Sequence, residues 1–225
     1  MPLYPLAAAT ALLPQLAIIA SYLWAASLGH VDWCLPHLHS CTSISATGRQ
    51  PPESFLFKGL MMPAAVLLAA YWYASVHWLR SRGCAAQRRL QLLLAMGLLG
   101  AAGLSLYTLM LGHIGPSYQL QRRIGVVTFF GTTFLGQLLI IHLLGQCRPL
   151  PAAARRSQRL LVQCAVVVLL TGLTSVAISA LSEALYHRTD DAFEWTFSLL
   201  LCLHVLITAR LWQQSDFRLQ FHSRG

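Results

Sequence analysis

Charged residues are scarce in this chain of 225 residues: Asp, Glu, Lys and Arg together make up 10% of it. A soluble domain carries about 25% charged residues, so the deficit excludes an ordinary soluble protein. Hydrophobic residues make up 56% of the chain, and its mean hydropathy is +0.57. Lipid is therefore the expected solvent for most of this chain.

Asparagine is absent, and a single lysine occurs among the 16 basic residues. Without Asn there is no acceptor for N-glycosylation. Both amino acids have AT-rich codons, so their scarcity indicates a GC-rich genome such as a bacterial one. The net charge of +9 is a feature of many nucleic-acid-binding proteins, but here the bases lie in short clusters between apolar segments. That arrangement orients membrane helices, and we expect no nucleic acid partner.

Signatures of catalysis are missing as well. The chain has no HExxH or GxSxG motif, no Gly-rich phosphate loop and no redox CxxC, all of which are patterns with a known mechanism. We therefore predict no cofactor. Whether the protein is an enzyme stays open at this point.

Six apolar segments are each long enough, near 20 residues, to cross about 30 Å of hydrocarbon as helices. They cover residues 6–28, 55–79, 90–111, 124–144, 160–181 and 195–211. No long polar stretch separates them. We predict an all-α polytopic membrane protein, a bundle of six transmembrane helices that forms one domain over residues 1–225.

Two packing patterns stand out within these segments. Small residues at Gly97, Gly100 and Gly103 favour a close contact of the third helix with a neighbour. Aromatic side chains gather near the inner end of the second segment, where the membrane interface favours them. These aromatic residues are Tyr71, Trp72, Tyr73 and Trp78.

Basic residues are concentrated on one side of the predicted membrane. They are Arg80, Arg82, Arg88, Arg89, Arg148, Arg155, Arg156, Arg159, Arg210, Arg218 and Arg224. The positive-inside rule makes this side cytoplasmic and places both termini there. Six of the seven acids lie on the opposite, outer side. We expect a bacterial inner membrane or a eukaryotic endomembrane such as that of the lysosome.

The longest connection, residues 30–54, lies on the outer side. Loops of this length are usually functional or disordered, and we expect an ordered cap over the outer end of the bundle. Cys34 and Cys41 lie in this loop, where an oxidising compartment favours a disulfide between them. A weaker alternative is zinc held by both thiolates with His37 and His39. Four ligands within eight residues are cramped, however, and two free thiols are a third possibility.

Charged residues at the outer helix ends are the candidate binding site. Mixed charges at this depth suit the headgroup of a phospholipid or glycolipid. The candidates are Glu53, Lys58, Arg122, Arg123, Glu183 and Glu194. Glu53 follows Pro51-Pro52 in the first turn of a helix, and we expect it to pair with Lys58, Arg122 or Arg123. His142 and His204 lie within predicted spans, where ionisable groups point to function or to hydrogen bonds between helices.

Three stretches together resemble the damage-regulated autophagy modulator (DRAM) family, whose wider relatives include proteins that remodel GPI anchors. The first is Ser43-Ile-Ser-Ala-Thr-Gly, followed by Pro51-Pro52-Glu53-Ser54 and Phe57. The second is Arg-Arg-Ile-Gly-Val-Val-Thr-Phe-Phe at residues 122–130. The third is Glu194-Trp195, with Asp216-Phe217 after the last span. The loop of Cys34, His37, His39 and Cys41 departs from the family pattern.

The resemblance implies a six-span protein connected with lipids or membrane turnover, and Glu53, Arg122 and Glu194 are its motif positions in this chain. Our first hypothesis is a protein that binds membrane lipids at its outer face and regulates membrane lipid or trafficking, with unknown protein partners. A lipid- or GPI-remodelling hydrolase or acyltransferase that uses outer histidines is an alternative. A small lipid transporter or scramblase that uses His142 and His204 is another.

Overall fold

The computed structural model describes residues 1–84 and 86–218, and its regular elements there are helices. Six of them are long and apolar enough to span a membrane. These are α1 (Tyr4–Ser27), α4 (Glu53–Ser81), α5 (Gln87–Met110), α6 (Pro116–Leu144), α7 (Arg155–Leu181, preceded by a 3-10 turn at Ala152–Ala154) and α9 (Asp190–Gln214). The predicted all-α polytopic bundle is confirmed.

Three short helices complete the described chain, and all lie at the predicted outer end. The first connection holds α2 (Pro36–His39) and α3 (Ile44–Thr47), while α8 (Glu183–Tyr186) connects α7 to α9. Helix α2 packs on α9, and α3 packs on both α1 and α9. The long first connection is thus folded onto the bundle, as the sequence predicts.

The long helices form an incomplete ring. Extensive contacts join α6 to α5, α5 to α4, α4 to α1, α1 to α9 and α9 to α7. Helices α6 and α7, at the two ends of this series, touch only sparsely. All buried residues of α7 lie between Ser157 and Val168, in its cytoplasmic half as oriented by the positive-inside rule. The outer half of α7 therefore stands away from the bundle.

Glycines bring α5 and α6 together, which confirms the close contact predicted for the third span. A methyl group on Gly125 would lie 2.7 Å from the backbone nitrogen of Tyr107 and 2.8 Å from the carbonyl oxygen of Gly103. Backbone atoms cannot move aside as a flexible side chain can. The two helices meet at a distance that only glycine permits.

The aromatic residues of the second span differ from the prediction. Tyr71, Trp72 and Trp78 are fully buried, and only Tyr73 is exposed. Trp72 packs over Gly97 of α5 and Gly136 of α6, where the absence of side chains leaves room for an indole ring. Trp72 therefore lies in the core, because glycines on two facing helices leave space for its ring.

Helix α6 begins eight residues before the predicted span, at Pro116 rather than Ile124. Gly115 has a φ of 131° and ends the preceding turn, and Pro116 then occupies the first helical turn, where its fixed φ suits helix start. Hydropathy marks only the part of a helix that matches the hydrocarbon. The polar residues up to Arg123 are therefore helical and not the loop expected from their polarity.

The connections at the opposite end of the bundle meet each other. The Arg148 N–H donates to the Arg82 carbonyl at 3.0 Å, and Cys84 lies beside Cys147, with Cα atoms 4.8 Å apart, which is within the range for a disulfide. The sequence gives no sign of this second pair, because its members lie 63 positions apart. A cytoplasmic location would keep such a pair reduced. Arg224, one of the bases counted for orientation, lies outside the described residues.

Candidate functional site

The first motif stretch is fastened to the start of α9. Ser43 caps α3, its hydroxyl accepting from the Ala46 N–H at 3.1 Å. The neighbouring Ile44 N–H donates to Glu194 Oε2 at 3.2 Å, and Trp195 Nε1 donates to the Thr42 carbonyl at 2.8 Å. Glu194 and Trp195, adjacent on α9, thus hold both sides of the Ser43 turn.

Tyr22 of α1 fixes the other half of the loop. Its hydroxyl donates to the Cys34 carbonyl at 2.7 Å and accepts from the Cys34 N–H at 2.8 Å. The Tyr22 ring also packs edge-on against Trp195, with centroids 5.8 Å apart. A disulfide joins Cys34 to Cys41 across α2. The loop is therefore a cap tied to both α1 and α9.

Replacing Cys34 and Cys41 with serine should loosen this cap while the bundle stays folded. A short loop of this length contributes about 2–3 kcal/mol to the free energy of unfolding in the chain-entropy account. Hydrogen exchange in detergent should rise in residues 30–52 and stay unchanged in α4 and α5. Equal exchange in the cap of wild type and variant would contradict this expectation.

The two loop histidines make contacts other than with these sulfur atoms. The disulfide takes up both thiols, and His39 Nδ1 accepts from the Leu35 N–H at 3.3 Å. His37 packs against Trp195 with ring centroids 5.5 Å apart, and partial burial there lowers the pKa of His37. The described residues contain no cluster of three or more His, Cys, Asp or Glu placed to hold a metal. The weaker zinc alternative stays a prediction.

Glu53 is fully buried at the start of α4, and its partner differs from those expected. Its Oε1 lies 2.7 Å from Nδ1 of His30, and its Oε2 has no partner among the described residues. Lys58, one turn further along α4, makes no ion pair within the described chain. The pairing of Glu53 with Lys58, Arg122 or Arg123 was wrong, because the cap folds back and brings His30 to the helix start.

The remaining charged candidates lie apart from Glu53. Arg122 donates from Nη1 to the His113 carbonyl at 3.2 Å, and with Arg49 it lines a separate open depression. Arg123 is exposed on the same helix. Glu183 is exposed on α8, 3.7 Å from His187. The structure therefore distributes the six candidates over several places and does not gather them in one site.

A small cavity brings the three motif stretches together. It has a volume of about 40 Å3, which is enough for water. Its walls include one residue of the first stretch, three of the second and the carboxylate of the third. These are Ile44, Val126, Phe129, Phe130 and Glu194.

Tyr107 of α5 also lines this cavity and adds an unsatisfied polar group to it. The side chain is 7% exposed, and its hydroxyl has no hydrogen-bond partner among the described residues. Burying a hydroxyl without a partner costs about 1–3 kcal/mol in proteins. An orphaned hydroxyl beside a carboxylate in a cavity is the arrangement expected where a polar ligand or water completes the hydrogen bonds.

From Glu194 a groove runs along the gap between α6 and α7, with α9 as its floor. Its outer mouth encloses about 440 Å3, and its deeper part about 310 Å3. Phe130 and Phe197 line both parts, which therefore adjoin each other. The other residues of the deeper walls are apolar: Gly131, Phe134, Val168, Leu169, Gly172, Leu173, Val176 and Leu201. The site is polar at its outer end and apolar below.

The two histidines of the transport alternative differ in exposure and in hydrogen bonding. His142 is close to Arg89 Nη1 at 3.0 Å and Gln146 Nε2 at 3.1 Å, at the exposed end of α6. His204 is fully buried, and neither ring nitrogen has a hydrogen-bond partner among the described residues. Neither residue lines the groove.

Sequence reasoning missed Tyr107, Asp190 and Asp191 as site residues. The two aspartates line the mouth of the groove next to Glu194, and only their closeness in sequence to the Glu194-Trp195 motif pointed to them. Tyr107 carries no sequence signal beyond a hydroxyl in an apolar span. It becomes visible when Phe57 of the first motif packs against it, with ring centroids 6.5 Å apart.

Comparison with known proteins places this arrangement in a family. No curated protein and no solved structure matches the chain. The family model described as Frag1/DRAM/Sfk1/Cwh43P N-terminal domain matches residues 2–212, which include every motif residue that surrounds the cavity. The chain is an integral membrane protein that belongs to this Frag1/DRAM/Sfk1/Cwh43P family.

Proposed function

We propose that this protein binds a membrane lipid at its outer face and that through this binding it regulates membrane lipid or trafficking. One observation carries the proposal: the three motif stretches converge on a cavity with an acidic side chain and an unpartnered hydroxyl, and that cavity shares Phe130 and Glu194 with the adjoining groove. A ligand that fits both ends must be amphipathic.

The dimensions of the groove favour a lipid over a small soluble molecule. Asp190 and Leu201 lie eleven positions apart on α9, roughly 16 Å at 1.5 Å per residue. That is about half of the ~30 Å hydrocarbon core. The groove therefore matches one leaflet, with the polar end at headgroup depth and Leu201 near the middle of the bilayer. Its side faces the gap between α6 and α7, which gives an acyl chain lateral entry.

Filling the groove tests the proposal. Gly131 lies on its wall, and a Cβ placed there would meet nothing within 4 Å. Gly131→Leu should therefore occupy the groove without a clash and reduce co-purified lipid at least threefold by native mass spectrometry. Gly59→Leu is the matched control, because a Cβ at Gly59 also meets nothing within 4 Å but lies on α4, away from the groove. Equal lipid on both variants and wild type would refute the proposal.

The orientation that places this site outside is a further part of the proposal, supported by the positive-inside rule. With Cys34 and Cys41 kept and the other four cysteines replaced, an impermeant thiol reagent applied from outside should label Ser117→Cys. It should not label Arg88→Cys. Both positions are exposed, at opposite ends of the bundle. The reverse labelling pattern would invert the topology and place the cap in the cytoplasm.

A further inference from the structure

The mouth of the groove differs in charge from the rest of the outer face. Its charged lining residues, among those that the structure describes, are Asp190, Asp191 and Glu194, and none is basic. The bases Arg49 and Arg122 line the separate depression at the start of α6. A protein with a net charge of +9 thus presents an acidic surface at the one place where the groove meets headgroup depth.

The three carboxylates are held in place by the fold. Asp190 and Asp191 stand in the first turn of α9. Asp190 Oδ1 accepts from the Asp191 N–H at 2.9 Å. Glu194 accepts a hydrogen bond from the Ile44 N–H of the cap. Ala192, which follows Asp191, donates its N–H to Ser40 Oγ at 3.1 Å and so ties this turn to the cap. The acids therefore face the mouth from a fixed helix start.

We infer that this site selects lipids whose headgroup carries a primary ammonium group, such as phosphatidylethanolamine. The inference rests on the proposed function, since it names the lipid that the groove takes. An ammonium group has three N–H donors, and three carboxylates at one mouth supply acceptors for them. The unpartnered Tyr107 hydroxyl, more than nine-tenths buried in the adjoining cavity, offers a further polar contact.

Other common headgroups fit less well. A phosphatidylglycerol headgroup carries net negative charge and no nitrogen, so the acids repel it. A choline headgroup is cationic but has no N–H donor, and it would gain only charge attraction and contact with the aromatic rings at the mouth, Tyr186, Phe193 and Phe197. The expected order of retention is therefore ethanolamine, then choline, then glycerol.

The test is a competition among phosphatidylethanolamine, phosphatidylcholine and phosphatidylglycerol with identical acyl chains. The purified full-length protein is exchanged into nanodiscs that contain the three lipids in equal amounts, and the retained lipid is identified by native mass spectrometry. Wild type should retain ethanolamine lipid over glycerol lipid by at least fivefold. Equal retention of the two would overturn the inference.

Asp190→Asn with Asp191→Asn removes two charges but keeps the side-chain shape and the acceptor oxygen of Asp190. In this double variant, the ratio of retained ethanolamine lipid to glycerol lipid should fall at least threefold. The total amount of retained lipid should stay within twofold of wild type. Asp32→Asn is the matched control, because Asp32 is an exposed outer acid that does not line the groove, and its preference should stay that of wild type.

The two proposals fail in different ways. If Gly131→Leu lowers all three lipids together while the aspartate double variant keeps the wild-type preference, lipid binding stands and amine selection is wrong. If Gly131→Leu lowers none of them, the groove itself is not the lipid site. A thermal melt of each variant confirms that it is folded, and Asp191→Asn alone replaces the double variant if that one melts early.

Discussion

His30→Ala should lower the free energy of unfolding by about 1–3 kcal/mol, the range for leaving a buried polar group without its hydrogen-bond partner. His30 is the hydrogen-bond partner of Glu53 at 2.7 Å, and the Glu53 side chain is completely buried. Without the imidazole, both side-chain oxygens of Glu53 are buried without a partner, because the second one already lacks one. The measurement is thermal or denaturant unfolding in detergent.

Two companion variants separate this pair from the general effect of losing a histidine. His187→Ala removes the partner of Glu183 in an exposed pair, 3.7 Å apart, with side chains 67% and 90% exposed. It should change the free energy of unfolding by less than about 0.5 kcal/mol. Adding Glu53→Leu to His30→Ala should recover part of the loss, because apolar groups can replace both partners of a buried hydrogen bond at little cost. A His30→Ala protein that melts like His187→Ala would show that Glu53 needs no partner.

Gly125→Ala should destabilise the protein by about 1–3 kcal/mol, the usual cost of an added methylene in a packed interior. The new methyl would lie 2.7–3.0 Å from backbone atoms of α5, at Gly103 and Tyr107. Helices α5 and α6 must then separate along their whole contact, which is the most extensive helix pair in the bundle. Because Tyr107 lines the cavity, the variant should also reduce retained lipid.

Gly131→Ala is the matched control for this substitution. It lies six positions further along the same helix and meets nothing within 4 Å. Alanine has a higher helix propensity than glycine by about 1 kcal/mol, so the control should be neutral or slightly stabilising. Equal melting temperatures for Gly125→Ala and Gly131→Ala would mean that the two helices are not held at the spacing described here.

Hydropathy and motif spacing were enough to predict the six spans, the folded outer cap and the family. They were not enough to predict where helices end, because Pro116 and Gly115 set the start of α6 by backbone geometry and not by polarity. They also could not pair Glu53 with His30, which lies 23 positions earlier in a loop. From the sequence, only bases on or near the same helix ends were considered as partners. The cap reverses direction after α1 and places His30 beside Glu53.

The binding site was only partly visible for the same reason. Glu194 was identified by its motif, and the structure adds its hydrogen bond to Ile44 and its place in the cavity wall. The groove below it arises from the divergence of α6 and α7, and that is a property of packing. The residue pattern of α7 does not show which face packs against another helix and which face contacts lipid, because Val and Leu occur on both faces.

Photocrosslinking tests the central claim, lipid binding in the groove, most directly. A phosphatidylethanolamine with a photoactivatable group in its acyl chain is reconstituted with the wild-type protein, and the crosslinked residues are mapped by mass spectrometry. We expect crosslinks to concentrate on groove residues such as Phe134, Leu173 and Val176. The controls are Leu12 and Val66, on helices outside the groove. Their side chains are 56% and 69% exposed, as those of Leu173 and Val176 are 57% and 67% exposed. Crosslinks to Leu12 and Val66 as abundant as those in the groove would contradict the account.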